Sequence, residues 1–171
     1  MTSAEHPVLR EPTRPVSERA PRFWWWKAAI VGLPIAVIGL VLVIVGLTAV
    51  DGWWRLALLA AGVVLIVLPL PWLTVVPRIR YRVHRWDVTD LALHVRHGWL
   101  VRTDEIVPIS RIQTVDSVQG LLMQAFGLRT VTVKTASSAG TVEIAQLDDE
   151  TAKAVVAQLI RITSATAEDA T

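Results

Sequence analysis

The chain has 171 residues, enough for one small folded domain plus a membrane hairpin, and 53% of them are hydrophobic. Its net charge of +2 is small, yet the arginines are unevenly placed, and placement says more than the sum. There is no cysteine, which excludes disulfides, thiolate nucleophiles and cysteine-based zinc sites.

Residues 1–22 are polar, with Pro7, Pro12, Pro15 and Pro21 among scattered Arg and Glu. The segment has no apolar periodicity and too little apolar surface to offset the entropy of ordering, so it reads as a disordered cytoplasmic tail. A docking segment for another protein is the alternative. Trp24, Trp25 and Trp26 follow, beside Lys27. Indole rings prefer the membrane–water interface, and three in a row read as an interfacial collar rather than a stacking platform for sugar or nucleic acid.

The hairpin is expected over 23–77. Ala28–Val50 carries no charge, Asp51-Gly52-Trp53-Trp54-Arg55 makes a tight turn, and Leu56–Val76 is again uncharged. At about 1.5 Å per residue, each run is long enough to cross a hydrocarbon core of about 30 Å. The two spans, 28–50 and 56–76, must therefore return side by side. The first apolar run is too long for the core of a signal peptide, and a second span follows at once, so it is expected to be a retained anchor. Trp53 and Trp54 supply the second collar. Arg10, Arg14, Arg19, Arg22 and Lys27 precede the first span, Arg78, Arg80, Arg82 and Arg85 follow the second, and the turn has only Arg55 against Asp51. The positive-inside rule then places both termini in the cytoplasm, at the plasma (inner) membrane.

Within the spans, Gly32, Gly39 and Gly46 form a stripe that lets a neighbouring backbone approach, either the Ala57, Ala60, Ala61 region of the second span or a second copy. Pro34 and Pro69 can kink the helices. No ionisable residue lies in either span, which removes the usual support for a proton relay or ion path.

Residues 78–163 read as an α+β cytoplasmic domain. Tyr81–Val88 and Leu91–Arg96 alternate with period two and are expected to be strands, with a third over Trp99–Val101 after Gly98. Asp104-Glu105 is expected at a turn or edge, and strands at Ile106–Ile109 and Arg111–Ser117 follow, limited by Pro108. Gln119–Phe126 has helical spacing, with Gly127 as its C-cap. Arg129–Ala136 and Thr141–Leu147 are expected to form a hairpin around Ser137–Gly140. In the closing helix Asp148 and Asp149 offer an N-cap, Glu150 complements the positive end of the dipole, and Ala152, Val155, Val156, Leu159 and Ile160 face a core. Residues 164–171 read as a polar tail. The fold class is thus a transmembrane hairpin followed by a bent antiparallel sheet or partial barrel capped by a C-terminal helix.

Gly98-Trp99-Leu100, Val107-Pro108-Ile109-Ser110-Arg111-Ile112-Gln113, Gln119–Leu128 and Val131–Ala136 together resemble the bacterial PH-like domain of YdbS-type membrane proteins. The resemblance covers about Arg80–Arg161, and the preceding two-span hairpin matches the family architecture. It implies a seven-stranded PH-like barrel plugged by the C-terminal helix, no enzyme activity and no established ligand, with a tendency to bind protein partners or self-assemble. The chain departs from the pattern at Leu121, where a small residue or Pro is expected, and at Gln124, where an Arg is expected.

The candidate chemistries are sparse. His94 and His97 fall on opposite faces of a strand, and His84 and His6 lack spaced partners, so no metal ligand is expected. No phosphate loop, His-Glu-x-x-His or Gly-x-Ser-x-Gly is present, and no catalytic, cofactor-binding or metal residue or small-molecule substrate is assigned. From Arg80 onward, 10 Lys/Arg face 11 Asp/Glu, which argues against a nucleic-acid partner. The loop Asp87–Asp90 is acidic, unlike the basic loop that captures phosphoinositides. The expectation is a non-enzymatic, membrane-anchored scaffold for protein partners or a homo-oligomer. The alternative is an anionic-lipid sensor using Arg78, Arg80, Arg82 and Arg85.

Overall fold

In a computed structural model, residues 11–135 and 140–168 take the order β1 (Arg14–Pro15), α1 (Ala20–Thr48), α2 (Trp53–Val67), α3 (Leu70–Thr74), α4 (Val76–Val83), β2 (Arg85–Val88), β3 (Ala92–His97), β4 (Thr103–Pro108), β5 (Ile112–Val118), α5 (Leu121–Phe126), β6 (Leu128–Thr135), β7 (Thr141–Asp148) and α6 (Asp149–Glu168). A single 3-10 turn, Ile109–Arg111, joins β4 to β5. The chain divides into two units: the hairpin, 19–81, and a domain made of the segment before Arg19 together with 82–168.

In the hairpin, α1 packs along α2 through the glycine stripe. A Cβ at Gly39 would lie 2.6 Å from the Gly62 carbonyl oxygen, and one at Gly32 would lie 2.9 Å from Pro69 Cβ. Gly46 faces Leu58 and Leu59. The stripe is therefore used within the chain, but it meets Gly62, Pro69 and Leu58 rather than the alanines of the second span. Backbone approach at this distance is what small residues supply where lipid offers no hydrophobic drive to hold helices together. Most other side chains of α1 and α2 are exposed and apolar, as lipid-facing surfaces must be. The expected strand over Tyr81–Val88 begins only at Arg85, because the helical chain continues through Val83. A helix already formed in the span extends at low cost, and this outweighs the period-two pattern of Tyr81–Val83.

The domain contains seven strands among the described residues, in two antiparallel sheets of order β1-β2-β3-β4 and β5-β6-β7. They form bent sheets under a helix and no closed barrel. The first strand comes from the segment expected to be a tail. Arg14 pairs with Trp86 and Pro15 with Arg85. The Trp86 indole N–H donates to the Pro15 carbonyl at 3.1 Å, and the Arg14 guanidinium lies 5.3 Å from the centre of the same ring. Val16 and Ser17 are buried; Ser17 N–H donates to the Gln146 carbonyl at 3.0 Å, and its hydroxyl donates to Asp148 Oδ1 at 2.7 Å. This stitches the first sheet to β7 at a bulge, where Gln146 has φ +46 and the register jumps from Arg129↔Leu147 to Val131↔Ile144. The tail reading of 1–22 thus fails from Arg14 on, where β1 and then α1 from Ala20 are formed, while residues 1–10 lie outside the described residues.

The expected third strand, Trp99–Val101, is a turn; Leu100 and Val101 are exposed and β4 starts at Thr103. Asp104 and Glu105 lie in β4, at the sheet edge. Gly127 is in the left-handed region (φ +63) and caps α5 as expected. The Ser137–Ala139 part of the β6–β7 turn and Ala136 lie outside the described residues; Thr135 N–H donates to the Gly140 carbonyl at 3.0 Å across it.

The core is built from Leu93, Leu128, Val131, Val133, Ile144 and Leu147, closed by Leu159 of α6. Each fully buried aliphatic side chain contributes about 1.5–3 kcal/mol. Ala152, Val155 and Leu159 form the inward stripe, but Ile160 is 55% exposed and does not belong to it. Helix α6 extends through 164–168, where a polar tail was expected. The Thr163 hydroxyl donates to the Leu159 carbonyl and the Ser164 hydroxyl to the Arg161 carbonyl, so these polar residues bond to their own helix. At its other end, Asp149 N–H donates to the Gly127 carbonyl. The Asp149 carboxylate is held by Lys153 and Arg129, which keep its pKa below the ordinary value of 3.8.

Two outcomes follow from this packing. Gly39→Leu should destabilise the hairpin by about 1–3 kcal/mol, read from thermal unfolding of the full chain in lipid nanodiscs, whereas the lipid-facing change Ile38→Val should not. An unchanged melt for Gly39→Leu would place the two backbones further apart than found. Because the folded pKa of Asp149 is depressed, its stabilising effect is present above about pH 4 and lost as pH falls through the folded value. Asp149→Asn should therefore melt earlier than the parent chain at pH 7, with a deficit that shrinks as pH falls below about 4; a deficit that stays constant with pH would contradict the assignment.

Candidate membrane-interface site

The tryptophans expected as collars fall into two groups at the two ends of α1. Trp25 and Trp26 are 41% and 49% exposed and meet edge to face. Trp53 and Trp54 are 64% and 57% exposed and stack with centroids 3.7 Å apart, at the turn beyond Thr48. The helix between Trp25 and Thr48 rises about 35 Å, close to the thickness of hydrocarbon that such collars bracket.

Trp24 behaves differently from its neighbours. It is buried, and the Arg80 guanidinium sits 4.9 Å from its ring centre. The two mark one end of a crevice of about 480 Å³ within the hairpin. On α1 its wall is Trp24, Lys27, Ala28, Val31, Gly32 and Ile35, which recur at i, i+3, i+4, i+7, i+8 and i+11 and so share one helix face. The opposite wall is Leu68, Pro69, Trp72, Val76, Pro77 and Arg80. The crevice exists because Pro69, Pro71 and Pro77 break the second arm into α2, α3 and α4, while Ala28 and Gly32 keep the facing surface low. Lys27 and Arg80 are the only charged groups in the lining, and both are cationic.

The four arginines expected to act together are divided. Arg78 and Arg80 belong to the hairpin, Arg82 and Arg85 to the domain. Arg78 Nη1 donates to the Thr74 carbonyl at 3.0 Å and Arg85 Nη1 to the His84 carbonyl at 2.9 Å, so part of their donor capacity is used on backbone.

The residues of the sequence pattern hold turns and irregularities rather than a reaction centre. Gly98 has φ +97, and a Cβ there would meet the Val101 carbonyl oxygen at 1.8 Å, so only glycine fits this turn. Pro108 ends β4 and leads into the 3-10 turn that Arg111 closes. Gln113 is the extra residue of a bulge, between the pairs Ile112↔Thr135 and Thr114↔Lys134. Gln119 and Gly127 flank α5. Leu121, where the chain departs from the pattern, is 87% exposed.

A family model described as bacterial PH domain matches residues 28–163, hairpin and folded region together. The chain belongs to the bacterial PH domain family. The transmembrane protein YdbS of Bacillus subtilis (strain 168) is 29% identical over 90 residues, 52% of this chain and 57% of YdbS, so the match spans little more than half of that relative. No solved structure matches. As a bacterial PH domain protein with two transmembrane helices, the chain associates with the lipid bilayer.

In this bacterial PH domain the titratable groups stabilise strands. His94 Nε2 and Arg96 Nε lie 2.9 Å and 2.8 Å from Asp104 Oδ1 across the β3–β4 pair. Partial burial pushes the Asp104 carboxyl up, but the hydrogen bonds from Arg96 and His94 outweigh it and leave it below the usual value. Among the described residues no three His, Asp or Glu side chains gather in a metal-binding group. Sequence reasoning did not find the Trp24–Arg80 contact or the crevice. The signal was the helical face beginning at Trp24, which the collar reading absorbed.

Gly98→Ala should cost about 1–3 kcal/mol in the domain's thermal unfolding while leaving membrane insertion intact. An unchanged melt would mean that the turn relaxes without cost.

Proposed function

We propose that this protein is a non-enzymatic, membrane-anchored PH-like scaffold at the cytoplasmic face of the plasma membrane, docking an extended strand of a protein partner or of its own copy. The carrying observation is the edge strand β5, which pairs only with β6 among the described strands. The other sheet's edge, β4, carries Asp104 and Glu105 and ends in Pro108, features that discourage strand addition. From Thr114 to Val118, β5 has one charge, Asp116, and Lys134 holds it at 3.0 Å. Val118 is 53% exposed and Leu121 87% exposed at the end of this strand, offering apolar contacts beside it. Strand addition supplies affinity through main-chain hydrogen bonds and specificity through alternate side chains. The basic flanks of the hairpin support the cytoplasmic orientation.

A second reading, recognition of anionic lipid, is favoured by one observation: Lys27 and Arg80 both line an otherwise mostly apolar crevice.

Crosslinking in native membranes tests the scaffold. The parent chain should yield oligomeric or partner-bound species, and Val118→Lys with Leu121→Lys should reduce them at least fivefold without changing the melt. Recovery of monomer alone from the parent chain, or undiminished crosslinking in the double variant, would refute docking at this edge.

A further inference from the structure

We propose that the crevice in the hairpin binds one anionic glycerophospholipid, its phosphate between Lys27 and Arg80 and an acyl chain along the apolar wall. The inference deepens the second reading above and rests on it, naming the class of lipid and how the cleft would hold it. A volume of about 480 Å³ falls within the range of ordinary ligand sites, about 300–1,000 Å³. Its position on transmembrane helices selects a lipid over a soluble solute. Ala28, Val31, Ile35 and Leu68 offer only apolar surface, so the lining suits methylene chains.

The charged end selects the headgroup. Lys27 and Arg80 are the charged residues of the lining and both are cationic, so a phosphate meets charge of opposite sign there. The Trp24 ring beneath Arg80 holds the guanidinium by cation–π attraction and reduces the side-chain freedom lost on binding. A planar guanidinium presents two parallel N–H donors to phosphate, and the lysine ammonium adds a point charge beside it. A zwitterionic headgroup brings its own cation into this positive end and is disfavoured. The cleft is preformed: Gly32 seats Pro69, and Trp72 and Arg80 line the wall opposite α1.

The test uses the full-length protein in detergent, with retained phosphatidylglycerol and phosphatidylcholine counted by native mass spectrometry. The parent chain should retain one phosphatidylglycerol in preference to phosphatidylcholine. Lys27→Gln and Arg80→Gln should each weaken retention roughly fivefold, and about twenty-five-fold together. Ala28→Phe, which fills the cleft and leaves both cations, should expel the lipid; an equal melt confirms that the variants fold. The triple change Arg78→Gln, Arg82→Gln, Arg85→Gln should leave retention unchanged. Loss in that triple variant alone would overturn the cleft while sparing the broader lipid reading. Equal retention of the two lipids would overturn both. Displacement by soluble glycerol 3-phosphate as readily as by lipid would overturn the assignment to a lipid.

Discussion

The antiparallel pairing of Arg14–Pro15 with Arg85–Trp86 closes the domain across an inserted membrane hairpin, and the organisation of the chain follows from it. A strand pair with one member on each side of the hairpin in the chain requires the chain to return to the side it left. The number of crossings between them must be even, and α1 with the α2–α4 arm supplies two. The bonds that fix the pairing are few but well placed. Trp86 is buried and has its indole N–H satisfied by Pro15, while Ser17 carries the same segment onto β7. A buried indole donor left without a partner costs on the order of 1–3 kcal/mol, which makes a two-residue strand more consequential than its length suggests.

The hairpin and the domain are held by different physics. In the domain, aliphatic side chains leave water, and α6 covers the sheets with Ala152, Val155 and Leu159. In the hairpin, lipid is as apolar as leucine, so association depends on close backbone contact at Gly39 and Gly62. The same absence of a hydrophobic drive leaves room for a crevice. Where proline breaks the second arm, no penalty of exposed apolar surface forces the helices together, and two cations gather at its end.

The spans, the α5 cap at Gly127, the β6–β7 pair and the start of α6 were legible in the sequence because each has a local cause: length without charge, a glycine at a left-handed position, alternation, or acidic residues at a helix start. The first strand was not legible. Two residues, one of them proline, carry no periodicity, and their partner lies beyond the hairpin. The turn at 98–102 was misread because Trp99, Leu100 and Val101 have strand propensity, but the backbone at Gly98 reverses the chain before they can pair. The helix through Val83 overrode an alternating pattern by extending from the span. Of the candidate interface site, the two tryptophan clusters are plain in the sequence, whereas the crevice depends on which face of α1 meets the broken second arm. No single-segment pattern contains that.

The absence of native cysteine allows the pairing of the first strand to be tested directly. Pro15→Cys combined with Arg85→Cys places two thiols on directly opposed residues, within the Cα separation of about 4.4–6.8 Å that a disulfide spans. Mild oxidation of native membranes should form this bond within one chain nearly quantitatively, and Pro15→Cys with Val118→Cys should form none. Failure of the first pair to bond while both thiols remain reactive, or labelling of the two positions from opposite sides of the membrane, would contradict a domain closed across the hairpin.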